Sequence, residues 1–274
     1  MQSKLRIGFI GGGNMATALI AGLANQLTDA HHIHVVDLNV DSVTRLSQEY
    51  GVSTASAMDD TLRDLDVVIF AVKPQQMQQV ITSFAPFLAS QLLLSVAAGI
   101  PTDAMSRWLG GYQKIVRAMP NTPAMIGKGM SGLFALTAVD GQQRANVQEI
   151  MQAVGDTLWV EQESMIDAIT AISGSGPAYV FYFIEALQEA AMALGFDASQ
   201  AQQLAMATFS GAVQLAQQSS DPVQVLREKV TSKGGTTYAA LNSMEQHDLK
   251  KIIGLATQAA AQRGKALGDE FGQT

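Results

Sequence analysis

Short apolar runs alternate with amphipathic stretches from Lys4 to about Glu161. Apolar runs of this length, rich in β-branched side chains, are typical of strands that are buried on both faces, and helical spacing fills the gaps between them. The alternation predicts an α/β domain with a parallel sheet and crossover helices. The predicted strands are Leu5–Ile10, Ile33–Asp37, Val67–Val72, Leu92–Val96, Ile115–Met119 and Leu158–Val160.

The pattern changes after about Gln162, where strand-like runs stop and Ala, Gln, Leu and Met dominate. These residues lose little entropy on entering a helix, so we predict an all-helical second domain and a boundary between residues 161 and 162. The segment Ala178–Leu194 is apolar around most of its circumference, which predicts a buried helix that ends at a left-handed Gly195. Asp197 and Gln200 have the spacing of a capping box that opens the next helix.

The composition fits two folded domains. Of 274 residues, 47% are hydrophobic and 15% are charged, which supplies material for buried cores. The formal net charge of -7 makes nucleic acid and anionic membranes unfavourable partners. No apolar run approaches the roughly 18 to 20 residues that span a bilayer, and Met1–Arg6 lacks a signal-peptide pattern. We therefore expect a cytoplasmic protein.

The chain has no cysteine, which excludes disulfides, thiolate nucleophiles and Cys-ligated metal centres. His31, His32 and His34 are clustered before an apolar run, but no carboxylate or cysteine lies near them at ligand spacing. We expect these histidines to lie at a solvated strand entrance, and we predict no metal site. Redox chemistry in this chain would then require a bound organic cofactor.

The segment Gly11–Ala16 fits the pattern G-x-G-x-x-A between a predicted strand and a predicted helix. Gly11 permits a tight turn, Gly13 leaves room for a pyrophosphate, and Ala16 allows close packing of the helix on the strand. The helix amides then face the anion. The pattern indicates a dinucleotide site, with an ordinary glycine-rich turn as the alternative.

Asp37 ends the second predicted strand, 26 positions after Gly11. A carboxylate there accepts both ribose hydroxyls of NAD and repels a 2′-phosphate, so it favours NADH over NADPH. Arg45 is the nearest following cation, but it lies about two helical turns away, too far to be an obvious phosphate ligand. The alternative is that Asp37 only caps a strand or helix end.

Four further segments are rich in small residues, proline or threonine: Phe70–Pro74, Met119–Ala124, Ser173–Tyr179 and Val230–Thr237. Together with Gly11–Ala16, and in this order, they resemble the pyrroline-5-carboxylate reductases over essentially the whole chain. The resemblance implies a dinucleotide-binding Rossmann domain over residues 1–161 and an all-helical substrate and dimerisation domain over residues 162–274. It also implies a homodimer or an assembly of dimers, and reduction of 1-pyrroline-5-carboxylate to L-proline by NADPH or NADH, the last step of proline biosynthesis.

The resemblance also assigns residues. Thr237 is in the position that acts on the imine, and many members carry an asparagine where this chain has Met58. The predicted cofactor-binding residues are Gly11, Gly12, Gly13, Asn14, Met15, Asp37, Ala71, Val72, Lys73, Pro74, Ala97, Ala98 and Asn121. The predicted substrate-binding residues are Ser175, Gly176, Pro177, Val230, Thr231, Ser232, Gly234, Gly235 and Thr236.

The chemistry of the last segment supports this assignment. Ser232–Thr237 leads into a helical pattern over Tyr238–Met244, so free amides there are suited to a substrate carboxylate. The Thr237 hydroxyl both donates and accepts hydrogen bonds, which suits a ring nitrogen that changes from imine to amine. Helix capping by Thr236 and Thr237 is the alternative.

Other interpretations remain for several segments. Ser173–Pro177 has the residues of a simple chain break before a helix, and Lys73 those of a solvated strand end. A β-hydroxyacid dehydrogenase also joins a Rossmann domain to helices, but it uses a helix-borne lysine, and Gln162–Leu226 contains none. A non-catalytic nucleotide-sensing or assembly protein that retained the fold is the other alternative, since fold alone does not establish activity.

Overall fold

A computed structural model describes residues 5–272, except for the side chains of residues 25 and 26. Its centre is an eight-stranded sheet with the order β3-β2-β1-β4-β5-β6-β7-β8. The first six strands in that order are arranged as in a doubly wound Rossmann fold. The strands are β1 (Ile7–Ile10), β2 (Ile33–Val36), β3 (Ser53–Ala55), β4 (Val67–Phe70), β5 (Leu92–Ser95), β6 (Ile115–Met119), β7 (Gly129–Ala135) and β8 (Gly155–Trp159).

Helices connect most of the strands and make up most of the described chain after β8. The helices are α1 (Asn14–Gln26), α2 (Val40–Tyr50), α3 (Met77–Phe84), α4 (Thr102–Trp108), α5 (Gly141–Gln152), α6 (Ser164–Ile169), α7 (Gly176–Ala193), α8 (Ala198–Gln218), α9 (Val223–Lys229), α10 (Thr236–Gln246) and α11 (Leu249–Gly272). A π-helical turn, Thr170–Gly174, lies between α6 and α7. Gly195 has a φ of 101° after α7, and Asp197 and Gln200 form the predicted capping box.

The predicted Rossmann-type domain is confirmed, and all six predicted strands occur. The sequence missed β3 and β7, and β7 runs antiparallel to β6 in a sheet whose other pairs are parallel. Two layers of apolar side chains cover the faces of the sheet. Ile7 and Phe9 of β1 belong to one layer and Ile10 to the other, as the alternation of side chains along a strand requires.

The histidine cluster differs from the prediction. His31 is exposed, but His34 is buried in β2, where its Nδ1 is hydrogen-bonded to the Ser53 hydroxyl of β3. The expectation of a solvated strand entrance is therefore wrong for His34, because β3, which the sequence did not reveal, covers it. Burial lowers the pKa of His34 below its ordinary value of 6.5, and nearby Asp59 opposes this in part.

By its internal contacts the chain divides into two compact units, one of residues 5–175 and 260–272 and one of residues 176–259. The second unit is entirely helical. Its α7 and α10 contain no buried residue in the single chain, although the sequence predicts that α7 is buried. The functional boundary between residues 161 and 162 stays a prediction. None of the described helices combines the length and hydropathy needed to cross a membrane.

Candidate cofactor and substrate sites

Three strand ends are aligned at the carboxyl edge of the sheet. Ile10 is paired with Val36 on one side and with Phe70 on the other. Consequently Gly11, Asp37 and Ala71, the residues that follow these three strands, lie next to one another. The chain winds away from β1 and β4 in opposite directions, so this edge is the topological switch point where open α/β sheets bind ligands.

The three glycines after β1 have different roles. Gly11 has a φ of +100°, and a Cβ atom there would lie 2.7 Å from the Ala71 carbonyl oxygen, so both the conformation and the space require glycine. A Cβ atom on Gly12 would lie 2.9 Å from the Ser42 hydroxyl. A Cβ atom on Gly13 would have no heavy atom within 4 Å. No neighbouring protein atom therefore requires glycine at position 13. A ligand that approaches the backbone would require it, because a side chain there would occupy the space of the ligand.

The N-terminus of α1 begins at this open surface. Its N-cap residue is Gly13, and no side chain caps the helix. The first amides of a helix have no acceptor within the helix, and Thr17 donates the first helical bond, to the Gly13 carbonyl. The amides of Asn14 and Met15 have no acceptor within the helix, and they lie at the positive end of the helix dipole. Both features are suited to binding a pyrophosphate.

A cavity of about 850 Å³ extends along this edge of the sheet. It reaches from the glycine loop to α3 and includes the apolar side chains of Met58, Val80 and Phe87, which offer a surface of the kind that an adenine ring contacts. Its lining residues are Ile10, Gly11, Gly13, Val36, Asp37, Leu38, Asn39, Ala57, Met58, Ala71, Val72, Lys73, Gln76, Gln79, Val80, Ser83 and Phe87.

Asp37 is held in place by two backbone amides. Its Oδ2 accepts a hydrogen bond from the Gly12 amide at 2.6 Å, and its Oδ1 accepts one from the Asn39 amide at 2.8 Å. Arg45 lies away from this carboxylate, because its guanidinium donates to the Thr17 hydroxyl and to Glu49. The sequence did not single out Asn39, although asparagine before a helical pattern is a signal for an N-cap.

The predicted cofactor residues after β4 also lie at the cavity. Ala71, Val72 and Lys73 line it, and the exposed Lys73 is the N-cap of a short 3₁₀ turn in which Pro74 is the first residue. Val80 and Phe87, which lie further along the chain, were not predicted. The amphipathic pattern of α3 was a signal for Val80, because Met77 and Ile81 fill its buried face and leave Val80 beside the cavity.

Ala97, Ala98 and Asn121 are not among the residues that line the cavity. Ala97 is buried in the loop after β5, and Ala98 is half-buried. The Asn121 side chain is engaged with the protein: its Nδ2 donates to the carbonyl and hydroxyl of Ser173, and its Oδ1 accepts from the Met130 amide. Contacts of these residues with a cofactor stay predictions.

A buried ion-pair network that the sequence analysis missed supports the same region. The Arg117 guanidinium of β6 donates to Glu163 at 3.2 Å and to Asp167 at 2.9 Å, and only 4% of its side chain is exposed. Glu163 also accepts from the amide and the hydroxyl of Thr102. The signal was a charged residue within the apolar strand Ile115–Met119. The network connects β6, α4 and α6.

The predicted substrate residues Ser175, Gly176 and Pro177 lie where the π-helical turn passes into α7. The Ser175 amide donates to the Thr170 carbonyl at 2.8 Å, which closes the turn. Gly176 and Pro177 are the first residues of α7. π-helical turns are rare and frequently occur at functional sites, but substrate contact by these residues stays a prediction.

The loop Val230–Thr237 joins α9 to α10. Val230 is 62% exposed. The Thr231 hydroxyl donates to the Arg227 carbonyl, and Gly234 has a φ of +74°, which explains a glycine in this turn. The Gly235 amide donates to the Ser232 carbonyl at 3.0 Å, so it is not free for a substrate as the sequence analysis had expected.

The N-terminus of α10 has no side-chain cap. Its N-cap residue is Gly235, and helix residues begin at Thr236. Capping by Thr236 or Thr237, the alternative left open by the sequence, is therefore wrong. The amides of Thr236 and Thr237 lack acceptors within the helix, and both side chains are exposed in the single chain. These amides and the Thr237 hydroxyl form a group of donors at a helix N-terminus.

The chain matches known proteins over nearly its whole length. It is 40% identical to the pyrroline-5-carboxylate reductase of Pseudomonas aeruginosa over 99% of this chain and 100% of that protein. The chain belongs to the pyrroline-5-carboxylate reductase family. Residues 163–267 match the family model for pyrroline-5-carboxylate reductase dimerisation, and residues 6–99 match the model for NADP oxidoreductase, coenzyme F420-dependent.

Solved structures of the family agree with the fold. A pyrroline-5-carboxylate reductase from Coxiella burnetii has a TM-score of 0.92 and 40% identity, and the match covers 97% of this chain and 99% of that one. The Plasmodium falciparum pyrroline carboxylate reductase, solved with NADP bound, has a TM-score of 0.86 and 30% identity, with 98% and 100% covered. These matches confirm the resemblance on which the sequence analysis relied.

Proposed function

We propose that this chain reduces 1-pyrroline-5-carboxylate to L-proline, with NADH or NADPH as the hydride donor. The observation that carries the proposal is the 40% identity to a pyrroline-5-carboxylate reductase over 99% of the chain. The β-hydroxyacid dehydrogenase alternative requires a helix-borne lysine, and Gln162–Leu226 contains none. The match to a reductase over the whole chain supports an enzyme over a protein that has retained only the fold.

The glycine loop and α1 would hold the pyrophosphate of the dinucleotide. Gly13 exposes its backbone to the open surface, and the amides of Asn14 and Met15 supply uncompensated donors. Asp37 would accept the ribose hydroxyls, while Met58 and Phe87 would contact the adenine. When bound, the reduced nicotinamide supplies the hydride that reduces the carbon–nitrogen double bond, and the nitrogen gains a proton.

The loop before α10 would hold the substrate. The Thr236 and Thr237 amides at the helix N-terminus are suited to a carboxylate, because the helix dipole and the free donors act in the same direction. The Thr237 hydroxyl would lie against the ring nitrogen, orient the imine and accept a hydrogen bond from the N–H group of the product. An unassisted threonine is a weak acid, so we assign Thr237 to orientation and proton relay.

The second unit would pair with a second copy of the chain. Its residues match a family model described as a dimerisation region. Large apolar side chains on α7, α8 and α11 are exposed in the single chain, and surfaces of this kind are typical of obligate interfaces. We propose a homodimer or an assembly of dimers. Those exposed side chains include Val180, Phe181, Tyr182, Leu204, Met206, Val213, Leu215, Ile252 and Leu255.

A cytoplasmic location and the lack of a nucleic-acid partner are also part of the proposal. The exclusion of nucleic acid rests on the charge of the sequence, in which acidic residues outnumber basic ones by 24 to 17. A phosphate backbone would be repelled by this net negative charge.

The direct test is the oxidation of NADH and NADPH, measured by the loss of their absorbance, with and without 1-pyrroline-5-carboxylate. We expect imine-dependent oxidation and L-proline as the product, identified by chromatography. The Thr237→Val variant is the matched control for contaminating reductases, because it should be much less active when purified in the same way. A chain that binds NADH but does not form proline would refute the proposal.

A further inference from the structure

The loop between β2 and α2 carries two polar side chains that act on neighbouring backbone amides. Asp37 accepts from the amides of Gly12 and Asn39. The Asn39 side chain in turn caps α2 and accepts from the amides of Asp41 at 3.0 Å and Ser42 at 3.4 Å. Four backbone donors at the end of β2 are thus already engaged by the protein.

A ribose 2′-phosphate at the end of β2 would need donors or cations. The four amides that would serve an anion are taken, and Asp37 and Asp41 are the charged groups on the loop. Leu38, between Asp37 and Asn39, is apolar and 86% exposed. A ribose with two hydroxyls has the opposite requirement, because each hydroxyl can donate to a carboxylate oxygen that has a lone pair left.

Neither of the two nearby cations, Arg45 and Lys73, is placed to bind a 2′-phosphate at the end of β2. Arg45 is on α2, and its guanidinium is bonded to Thr17 and Glu49. Lys73 lines the cavity, but it follows β4, and β1 lies between β4 and β2. Two strand spacings, about 9 to 10 Å, therefore separate the backbone at Lys73 from the backbone at Asp37.

We propose that Asp37 and Asn39 together make this reductase selective for NADH, Asp37 by repelling a 2′-phosphate and Asn39 by occupying the α2 amides that would bind it. The role of this selectivity in catalysis rests on the proposed function. The selectivity itself concerns cofactor binding alone. The proposal concerns this chain's loop alone: a family model that matches residues 6–99 is described by NADP, and the Plasmodium falciparum structure holds NADP.

Direct binding tests the proposal without the imine. Dissociation constants for NADH and NADPH would be measured from the fluorescence of the reduced nicotinamide. We expect NADH to bind at least about tenfold more tightly, which corresponds to one unfavourable charge contact in a partly solvated site. Added salt should lower the ratio of the NADPH dissociation constant to the NADH dissociation constant, because it screens the repulsion between Asp37 and the phosphate.

Variants separate the two residues. Asp37→Ser should improve NADPH binding and weaken NADH binding. The ratio of the NADPH dissociation constant to the NADH dissociation constant should therefore fall about tenfold or more. Asn39→Gly frees the Asp41 and Ser42 amides at little cost to α2, because glycine is tolerated at an N-cap. It should improve NADPH binding severalfold and leave NADH nearly unchanged. Thermal melts of each variant would show that the fold is retained.

Two matched controls concern the cations. Arg45→Ala should leave the ratio of the two dissociation constants unchanged, and Lys73→Gln should weaken both cofactors to a similar extent. A wild-type protein that binds NADPH as tightly as NADH would overturn the proposal, and so would a selective loss of NADPH in either control. Proline formation at equal efficiency with both cofactors would refute only the selectivity, whereas selective NADH binding without imine reduction would refute only the proposed function.

Discussion

The Asn121 side chain donates to both the carbonyl oxygen of Ser173, at 3.1 Å, and its hydroxyl, at 3.2 Å. It thereby joins the loop after β6 to the π-helical turn, and its Oδ1 also fixes the Met130 amide at the start of β7. We therefore expect Asn121→Asp, which keeps the acceptor and loses both donors, to lower the free energy of unfolding by about 1–3 kcal/mol.

Urea unfolding and NADH titration check this prediction. The dissociation constant for NADH should change little, because the amide is engaged with the protein. Thr122→Ala is the control, since the neighbouring Thr122 is exposed. Weaker NADH binding with unchanged stability would instead indicate direct contact with the cofactor.

The glycine loop gives a second prediction. Gly11→Ala should lower stability by about 1–2 kcal/mol, because a Cβ atom there is strained and meets the Ala71 carbonyl. Gly13→Thr should instead retain stability, since its side chain enters open space and threonine is about as favourable as glycine at an N-cap, and it should weaken NADH binding by about tenfold or more. Thermal melts beside NADH titrations compare the two, and equal effects on binding and stability in both variants would contradict this division of roles.

Thr237 is the subject of the third prediction. Thr237→Val keeps the shape and removes the hydroxyl, and it should lower kcat/KM for the imine about ten- to a thousandfold, or ~1.4 to 4 kcal/mol. Thr237→Ser should retain more activity. NADH binding and the melting temperature should stay near those of the wild type, because the hydroxyl caps no helix. Steady-state kinetics decides, and a Val variant with wild-type kcat/KM would rule out a role in the reaction.

The fourth prediction concerns assembly. Phe181 on α7 is 65% exposed in the single chain, and a central interface aromatic typically contributes about 2 kcal/mol or more. Phe181→Asp should therefore weaken association at least about thirtyfold. Light scattering over a concentration series measures this. Leu158→Asp on the first unit is the control, since Leu158 is also exposed, and it should leave the assembly intact.

The fifth prediction is a pH dependence of stability. Burial lowers the pKa of His34 in the folded chain below 6.5, its ordinary value and the value expected in the unfolded chain. As the pH falls below 6.5 the unfolded chain binds the proton first, so stability decreases until the folded pKa is reached. His34→Gln should remove this part of the slope. Urea unfolding between pH 7.5 and about pH 5 measures it, and an unchanged slope in the variant would contradict the prediction.

The sequence predicted the Rossmann architecture because the buried parallel strands and the glycine loop have strong local patterns. It missed β7 because Gly129 and Gly132 interrupt the apolar run. Glycine is required in β7 by tertiary packing: a Cβ atom on Gly132 would lie 2.5 Å from the Ile169 side chain. It missed β3 because three partly exposed residues, Ser53–Ala55, carry no distinctive pattern. Both strands are stabilised mainly by neighbours that lie elsewhere in the sequence.

The candidate site was predictable to a similar degree. Gly11, Asp37 and Lys73 follow strands, and the rule for open sheets locates such residues at the ligand edge. The engagement of Asn121 with Ser173, 52 positions away, depends on how β6 and α6 pack and has no local signal. The assignment of Thr237 came from the family resemblance, and the structure adds that no side chain caps α10.

The last residues of the chain belong to the unit that is synthesised first. A Cβ atom on Gly99 would lie 3.4 Å from the Leu267 Cβ atom, and the Arg107 guanidinium donates to the Gly272 carbonyl, 165 positions away. A growing chain leaves the ribosome from its N-terminus, so the loop after β5 stays uncovered until residues 267–272 have been synthesised. Contacts of such sequence separation also form slowly. The cofactor-binding unit is therefore completed only after the whole of the second unit, residues 176–259, has been synthesised.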